Sequence, residues 1–211
     1  MREIFFDNLQ EESLIGSKDR VIIYYSGHAK LRVRVNNEGE EIRTGYVVPY
    51  DAKTGKYSSV LDMDSIVANI QSCPAKHILL ILDCCYSGYA ALRAAGLDRR
   101  DRINEDYLKD VTSRRAIQVL AAGSDDQPVA DSGIRPGYSA FTGALLDLLE
   151  AEEDLDGNGI LTASEIGAKL KKQVLMQQGI FQRPMYNAIA GSQGGDFVLK
   201  IFEEATQNLD G

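Results

Sequence analysis

Two short segments hold the residues best suited to chemistry: YYSGHA, which carries His28, and LLILDCCYSG, which carries Cys84 and Cys85. A thiol attacks as its thiolate, and an imidazole within hydrogen-bond reach can draw off its proton near neutral pH. Such a pair supports acyl transfer on a carbonyl. The chain has only two histidines, and the other, His77, opens the run HILLILD at the far end from the cysteines. His28 is therefore the candidate base. The ordinary reading of each residue alone is plainer: a strand-end histidine packs or caps, and a buried cysteine behaves as a small hydrophobe. The pairing of the two segments is what points to catalysis.

Both segments need a scaffold that brings their ends together. Four stretches read as buried strands, at 21–25, 78–83, 117–121 and 197–201, with a shorter one at 46–48, because they are β-branched-rich and bounded by polar or small residues. Helical patterns at 63–70, 141–152 and 163–177 alternate with them, which predicts an α/β fold with a mostly parallel sheet covered on both faces. Residues 30–44, charged and glycine-containing, read as a loop, and 89–115 as a charge-rich interruption. Both follow strand ends, where open α/β sheets place their ligand sites. If the strands ending at His28 and at the cysteines are parallel neighbours, their tips meet.

Composition bounds the function classes. A chain of 211 residues with 44% apolar residues suits one domain with a proper core, and no linker or repeat divides 1–211. Twenty-three basic against 31 acidic residues give a net charge of −8 without a basic, aromatic-interleaved stripe, which argues against nucleic acid. No apolar run approaches the roughly 18 residues of a membrane span, and the start MREIFFDNLQEE lacks a signal-peptide layout, so a cytoplasmic protein is expected. Three cysteines, two of them adjacent, make a poor disulfide framework and have no metal-ligand spacing, which fits a reducing compartment.

YSGHA followed by DCCYSG resembles the His and Cys motifs of the caspase and metacaspase superfamily, and GYVVPYDA, VLAAGSDDQPVA, YSAFTGALLDLL, QRPMYN and GGDFVL continue the likeness over about residues 4 to 201. The resemblance implies a caspase-like three-layer sandwich and a cysteine endopeptidase acting on protein or peptide substrates. It assigns Cys85, the second residue after the Asp, as nucleophile, with Cys84 left to packing. It implies an oxyanion hole from the backbone N–H groups of Cys85 and Ala29, where Ala29 departs from the family's usual glycine. Members that cleave after Asp carry Gln two residues before the nucleophile and metacaspase-like members carry Asp, so Asp83, with Ser26 as pocket wall, implies cleavage after Arg or Lys. An enzyme of that preference can cut itself in 89–115, where Arg93, Arg99, Arg100, Arg102, Lys109, Arg114 and Arg115 stand.

DLDGNGILTASE matches the twelve-residue calcium loop, with Asp154, Asp156, Asn158, Ile160 through its carbonyl, Thr162 and Glu165 as ligands and Gly159 at the turn. Calcium is thus a candidate ligand, more structural than regulatory, although none is required for the chemistry. Metacaspases also hold calcium in an acidic cluster between the two motifs, for which this chain offers only Glu38, Glu40 and Glu41. The family fold begins with a strand, a helix and a further strand that have no counterpart here. A preceding segment or another chain is expected to complete the sheet, or else the strand at 21–25 is an exposed edge. The rival reading is a catalytically silent caspase-like scaffold or calcium-responsive interaction module.

Overall fold

In the computed structural model, residues 12, 89, 91–104, 125–128, 152–158, 178 and 202–211 and the side chains of 105–107 and 201 are outside the described set; all others are described. The helices are α1 (Arg2–Phe6), α2 (Met63–Ser72), α3 (Glu105–Ser113), α4 (Ala140–Glu150) and α5 (Ala163–Leu175). The strands are β1 (Arg20–Ser26), β2 (His28–Val35), β3 (Glu41–Val48), β4 (Leu61–Asp62), β5 (His77–Asp83), β6 (Ala116–Ala121), β7 (Ile160–Thr162), β8 (Met185–Ala188) and β9 (Val198–Ile201).

A four-stranded sheet in the order β1-β5-β6-β8 forms the middle layer, parallel except at β8. β5 is buried at every position, as its apolar run HILLILD requires when both faces of a sheet are covered. Ile78, Leu80 and Leu82 face a core made with Ile66, Val67 and Ile70 of α2, whereas Leu79 and Ile81 face Phe141 and Leu145 of α4 and Ile166 and Leu170 of α5. Two apolar cores thus sit on opposite faces of one sheet, which is a mixed α/β sandwich of the caspase-like kind.

Capping residues fix where the helices begin. The Asp62 carboxylate accepts from the Ser65 N–H at 2.7 Å ahead of α2, and Ser139 accepts from the Thr142 N–H ahead of α4. Thr162 and Glu165 form a reciprocal capping box at the start of α5.

Several expectations are corrected. Residues 30–44 are not a loop: β2 and β3 pair as an antiparallel hairpin in the register His28↔Val48 to Val35↔Glu41. Its sequence alternates Val, Leu and Ile with Arg, Lys and Thr, and the charged members hid a half-buried, period-two strand. Its turn is made by Asn36, whose Oδ1 accepts the Glu38 and Glu40 N–H groups at 2.9 Å. The interruption at 89–115 contains α3. The segment at 21–25 is not buried; β1 is the sheet edge among the described residues, with Ile22 53% and Tyr24 48% exposed. The last predicted strand, 197–201, is seen as β9 and pairs with β7 outside the main sheet, whose fourth strand is β8.

Candidate active site

β1 and β5 run side by side and end together, with Ser26 paired to Asp83. Beyond this last pair the Gly27 N–H still donates to the Asp83 carbonyl at 3.2 Å, so the tips stay stitched past the end of the ladder. His28 and Cys85 each follow two residues after that pair, on adjacent chains at one edge of the sheet. His77 opens β5 at the opposite edge, buried, with Nε2 donating to the Arg114 carbonyl at 3.0 Å. It takes no part in the site.

His28 starts β2 and is exposed, while Ala29 is half-buried and paired with Val47. The chain is held here by Tyr25, whose hydroxyl lies 2.8 Å from the His28 carbonyl and 3.0 Å from that of its cross-strand partner Val48, sharing one proton between two acceptors. Burial is the main reason that the phenol is pushed up to about 12, so it stays a donor. A side chain at Gly27 would put its Cβ 2.7 Å from that hydroxyl, which explains the glycine in YYSGHA. Among the described residues, no side-chain hydrogen bond orients the imidazole.

The two cysteines differ sharply. Cys84 is 2% exposed in the α2-side core, and burial first, then Asp83 and Cys85, push its thiol up to about 12. A thiol so placed is inert. Cys85 is only half-buried, and its Sγ accepts the Val129 N–H at 3.3 Å. The next residue, Tyr86, has φ +59°, a left-handed conformation that is costly for an aromatic side chain and turns the chain sharply after Cys85. Ser87 bonds Gly123 in both directions, through Oγ to the carbonyl and from the N–H to Oγ. Gly88 lies so close to the same turn that a Cβ would meet the Ser124 Cα at 2.6 Å.

Asp83 is 5% exposed, and among the described residues its carboxylate is bonded through Oδ2 alone, by the Ser139 and Thr142 hydroxyls at 2.6 Å each. Both donors belong to the start of α4, where a carboxylate also suits the helix dipole. Thr142 in turn lies 2.8 Å from the Tyr24 hydroxyl of β1. Ser26 is exposed beside Asp83.

Of the residues expected as cut sites, Arg93, Arg99, Arg100 and Arg102 lie outside the described residues. Arg114 pairs with Asp110 at 2.6 Å, and Arg115 donates to the Gln71 and Cys73 carbonyls at 3.0 and 2.6 Å, both tied to regular structure. Asp154, Asp156 and Asn158, expected as calcium ligands, also lie outside the described residues. Gly159 has φ +81°, as the sharp turn of such a loop needs, and Ile160 begins β7. Thr162 and Glu165 are bonded to each other, with Glu165 Oε2 accepting the Thr162 N–H at 2.7 Å. Among the described residues no group of three or more His, Cys, Asp or Glu side chains gathers around one point, Glu38, Glu40 and Glu41 included. The three cysteines are free. No helix among the described residues is long and apolar enough to cross a membrane.

Sequence reasoning missed Tyr25, Val129, Ser87, Ser139 and Thr142. Only Gly27 and Gly88 left a signal, as glycines flanking the two reactive segments; the rest act through contacts more than 20 residues away or through backbone atoms.

A mostly parallel α/β sandwich with cysteine and histidine at neighbouring strand tips is an architecture of the cysteine-peptidase kind. The chain belongs to the caspase family: the family model for the caspase domain matches residues 3–190. A cysteine peptidase-like function acting on protein substrates follows from that membership. No curated protein matches the chain significantly.

Proposed function

We propose that this protein is a cysteine endopeptidase that cleaves after Arg or Lys through a dyad of His28 and Cys85. The observation that carries the reading is the register of β1 on β5, closed by Ser26↔Asp83 and extended by the Gly27-to-Asp83 bond, since it sets the two reactive residues on adjoining tips. The contrast between an inert, buried Cys84 and a half-buried Cys85 bonded by an N–H supports the choice of nucleophile.

In the reaction, Cys85 gives its proton to His28, and the sulfur attacks the scissile carbonyl carbon. The N–H groups of Cys85 and Ala29 receive the developing oxyanion, a contribution on the order of 3 kcal/mol per donor. The C–N bond then breaks as His28 passes the proton to the leaving amine. Water, deprotonated by His28, attacks the thioester, and the thiol leaves with the proton restored. Asp83, with Oδ1 left for a ligand, receives the guanidinium or ammonium group of the substrate, and Ser26 lines the same pocket.

Self-cleavage belongs to the same proposal, at Arg93, Arg99, Arg100 or Arg102 before Arg114 and Arg115, because Arg114 is paired with Asp110 and Arg115 bonds the Gln71 and Cys73 carbonyls. A structural calcium held by the loop 154–165 is proposed on its pattern and on the left-handed Gly159. Glu165 would serve it only where its carboxylate can also keep the α5 cap.

The test is hydrolysis of a fluorogenic peptide ending in Arg by wild type, Cys85→Ala and Cys84→Ala, across calcium concentrations. Wild type is expected to hydrolyse it, Cys85→Ala to lose at least about a thousand-fold, and Cys84→Ala to keep most activity. Hydrolysis retained in Cys85→Ala overturns the nucleophile, and none in wild type, with or without calcium, points to the silent scaffold. Mass spectrometry of the active preparation reads self-cleavage, and melting with calcium or chelator reads the metal.

A further inference from the structure

We propose that the cavity beside the β2–β3 hairpin is a second substrate subsite, one that takes an acidic side chain from the leaving half of the peptide. The inference deepens the peptidase reading and rests on it. The cavity measures about 170 Å³ and is lined by Lys30, Lys53 and Lys56, with Tyr46, Tyr57 and Val48 among its walls. It adjoins the reactive histidine: Val48 is the cross-strand partner of His28, and Lys30 and Tyr46 form the pair two residues further along the same hairpin. Residues two apart on a strand share a face, so His28, Lys30, Val48 and Tyr46 lie on one side of the ribbon.

Three lysines lining one small cavity stand out in a chain of net charge −8. Among the described residues none of the three is paired with a carboxylate. The walls are formed in advance. The Ser59 hydroxyl accepts the Lys53 N–H at 2.8 Å and donates to the Lys56 carbonyl at 2.7 Å, while Gly55, at φ +76°, turns the chain between the two lysines. On the hairpin side Tyr46 and Tyr57 pack with ring centroids 5.3 Å apart, and the Arg32 guanidinium lies 4.2 Å over the Tyr57 ring. A rigid aromatic wall beside uncompensated positive charge suits a carboxylate on a short apolar stem, and the cavity volume suits one side chain.

The direction of the chemistry assigns the half of the substrate. The acyl half stays on Cys85, and the amine half leaves by way of the imidazole that protonates it. Residues beyond His28 on the same hairpin face therefore meet the segment that follows the scissile bond. The substrate class is then a basic residue before the bond with a Glu or Asp after it, read by two sites of opposite charge.

Internally quenched peptides with Arg before the scissile bond, carrying Glu, Ala or Lys at each following position in turn, test this on the full chain. At one position Glu is expected to raise kcat/KM about five-fold over Ala and Lys to lower it, with the difference shrinking in high salt. In Lys56→Glu the Glu-to-Lys ratio at that position is expected to invert, and a ratio is insensitive to a general loss of activity. A fluorogenic Arg amide, which has no residues after the bond, separates the two readings. If wild type hydrolyses the amide and treats Glu, Ala and Lys peptides alike, the subsite is overturned and the peptidase stands. If neither amide nor peptides are hydrolysed, both fall together.

Discussion

Asp83 orders the start of α4 and is also the carboxylate proposed to bind substrate, and one substitution can separate the two. Its Oδ2 accepts the Ser139 and Thr142 hydroxyls, so it organises the start of α4 whatever the enzyme cleaves. Asp83→Ala would leave two hydroxyls short of an acceptor and damage that start, confounding any effect on specificity. Asp83→Asn keeps an oxygen for both hydroxyls and removes the charge. If the charge binds the substrate, kcat/KM for an Arg peptide should fall at least about 30-fold, or about 2 kcal/mol, with the melting temperature little changed. Arg hydrolysis within two-fold or so of wild type would leave Asp83 as a positioning residue for α4 only. The two cysteines pose the same kind of question with a clearer answer from burial, since Cys84 at 2% exposure belongs to the core that holds Ile78, Leu80 and Leu82.

At the scale of elements, the site depends on how the β2–β3 hairpin is joined to β1, and Tyr25 and Gly27 make that joint. The Tyr25 hydroxyl reaches the carbonyls of both His28 and Val48, and a Cβ on Gly27 would come within 2.7 Å of it. Tyr25→Phe should cost about 1 kcal/mol of stability and lower kcat more than it raises KM, because it frees the segment carrying the imidazole. Gly27→Ala should cost more alone than in the Tyr25→Phe background, where the closest atom is gone. A double-mutant cycle measures that coupling, and additive effects would mean the hydroxyl does not fix the joint. The same joint marks how far the sequence can be read. HILLILD and RVIIYYS read as strands from their β-branched composition, whereas their pairing side by side was only a condition of the reading, which the β1–β5 register meets. The hairpin was hidden because HAKLRVRV alternates its charges with apolar residues, so composition spoke for loop while the period spoke for strand. MYNA of β8 is too short to show a period at all, and EDYLKDVTS of α3 lies inside a stretch whose charge outweighed its helical spacing. Val129 contributes a backbone N–H to Cys85, which no side-chain pattern records.

Across the whole molecule the sheet has a polarity: His28 and Cys85 stand at the edge where β1 and β5 end, and the buried His77 stands at the edge where β5 begins. Acid should therefore reach stability through His77, at the edge away from the proposed dyad. Burial is the main cause that lowers the pKa of His77, reinforced by Arg20 and Lys76 and opposed by the hydrogen bond to the Arg114 carbonyl. The fold thus favours the neutral ring. Its contribution is complete above the ordinary imidazole value of about 6.5, and it is lost as pH falls from there towards the lowered folded value, because the unfolded chain takes up the proton first. Asp196 works with the opposite sign. Its carboxyl is raised chiefly by burial, and the bonds from Ser164 and Gln118 only partly offset this, so its contribution is present below about 3.9 and is lost as pH rises through the folded value. The wild-type curve mixes the two, so the informative quantity is a difference between proteins. In His77→Gln, a neutral donor able to reach the Arg114 carbonyl replaces the ring. As the pH falls from about 7, wild type should lose stability in urea unfolding that the variant does not. Parallel curves for the two proteins would mean that the acid sensitivity arises elsewhere in the sheet, and that His77 is held by packing alone.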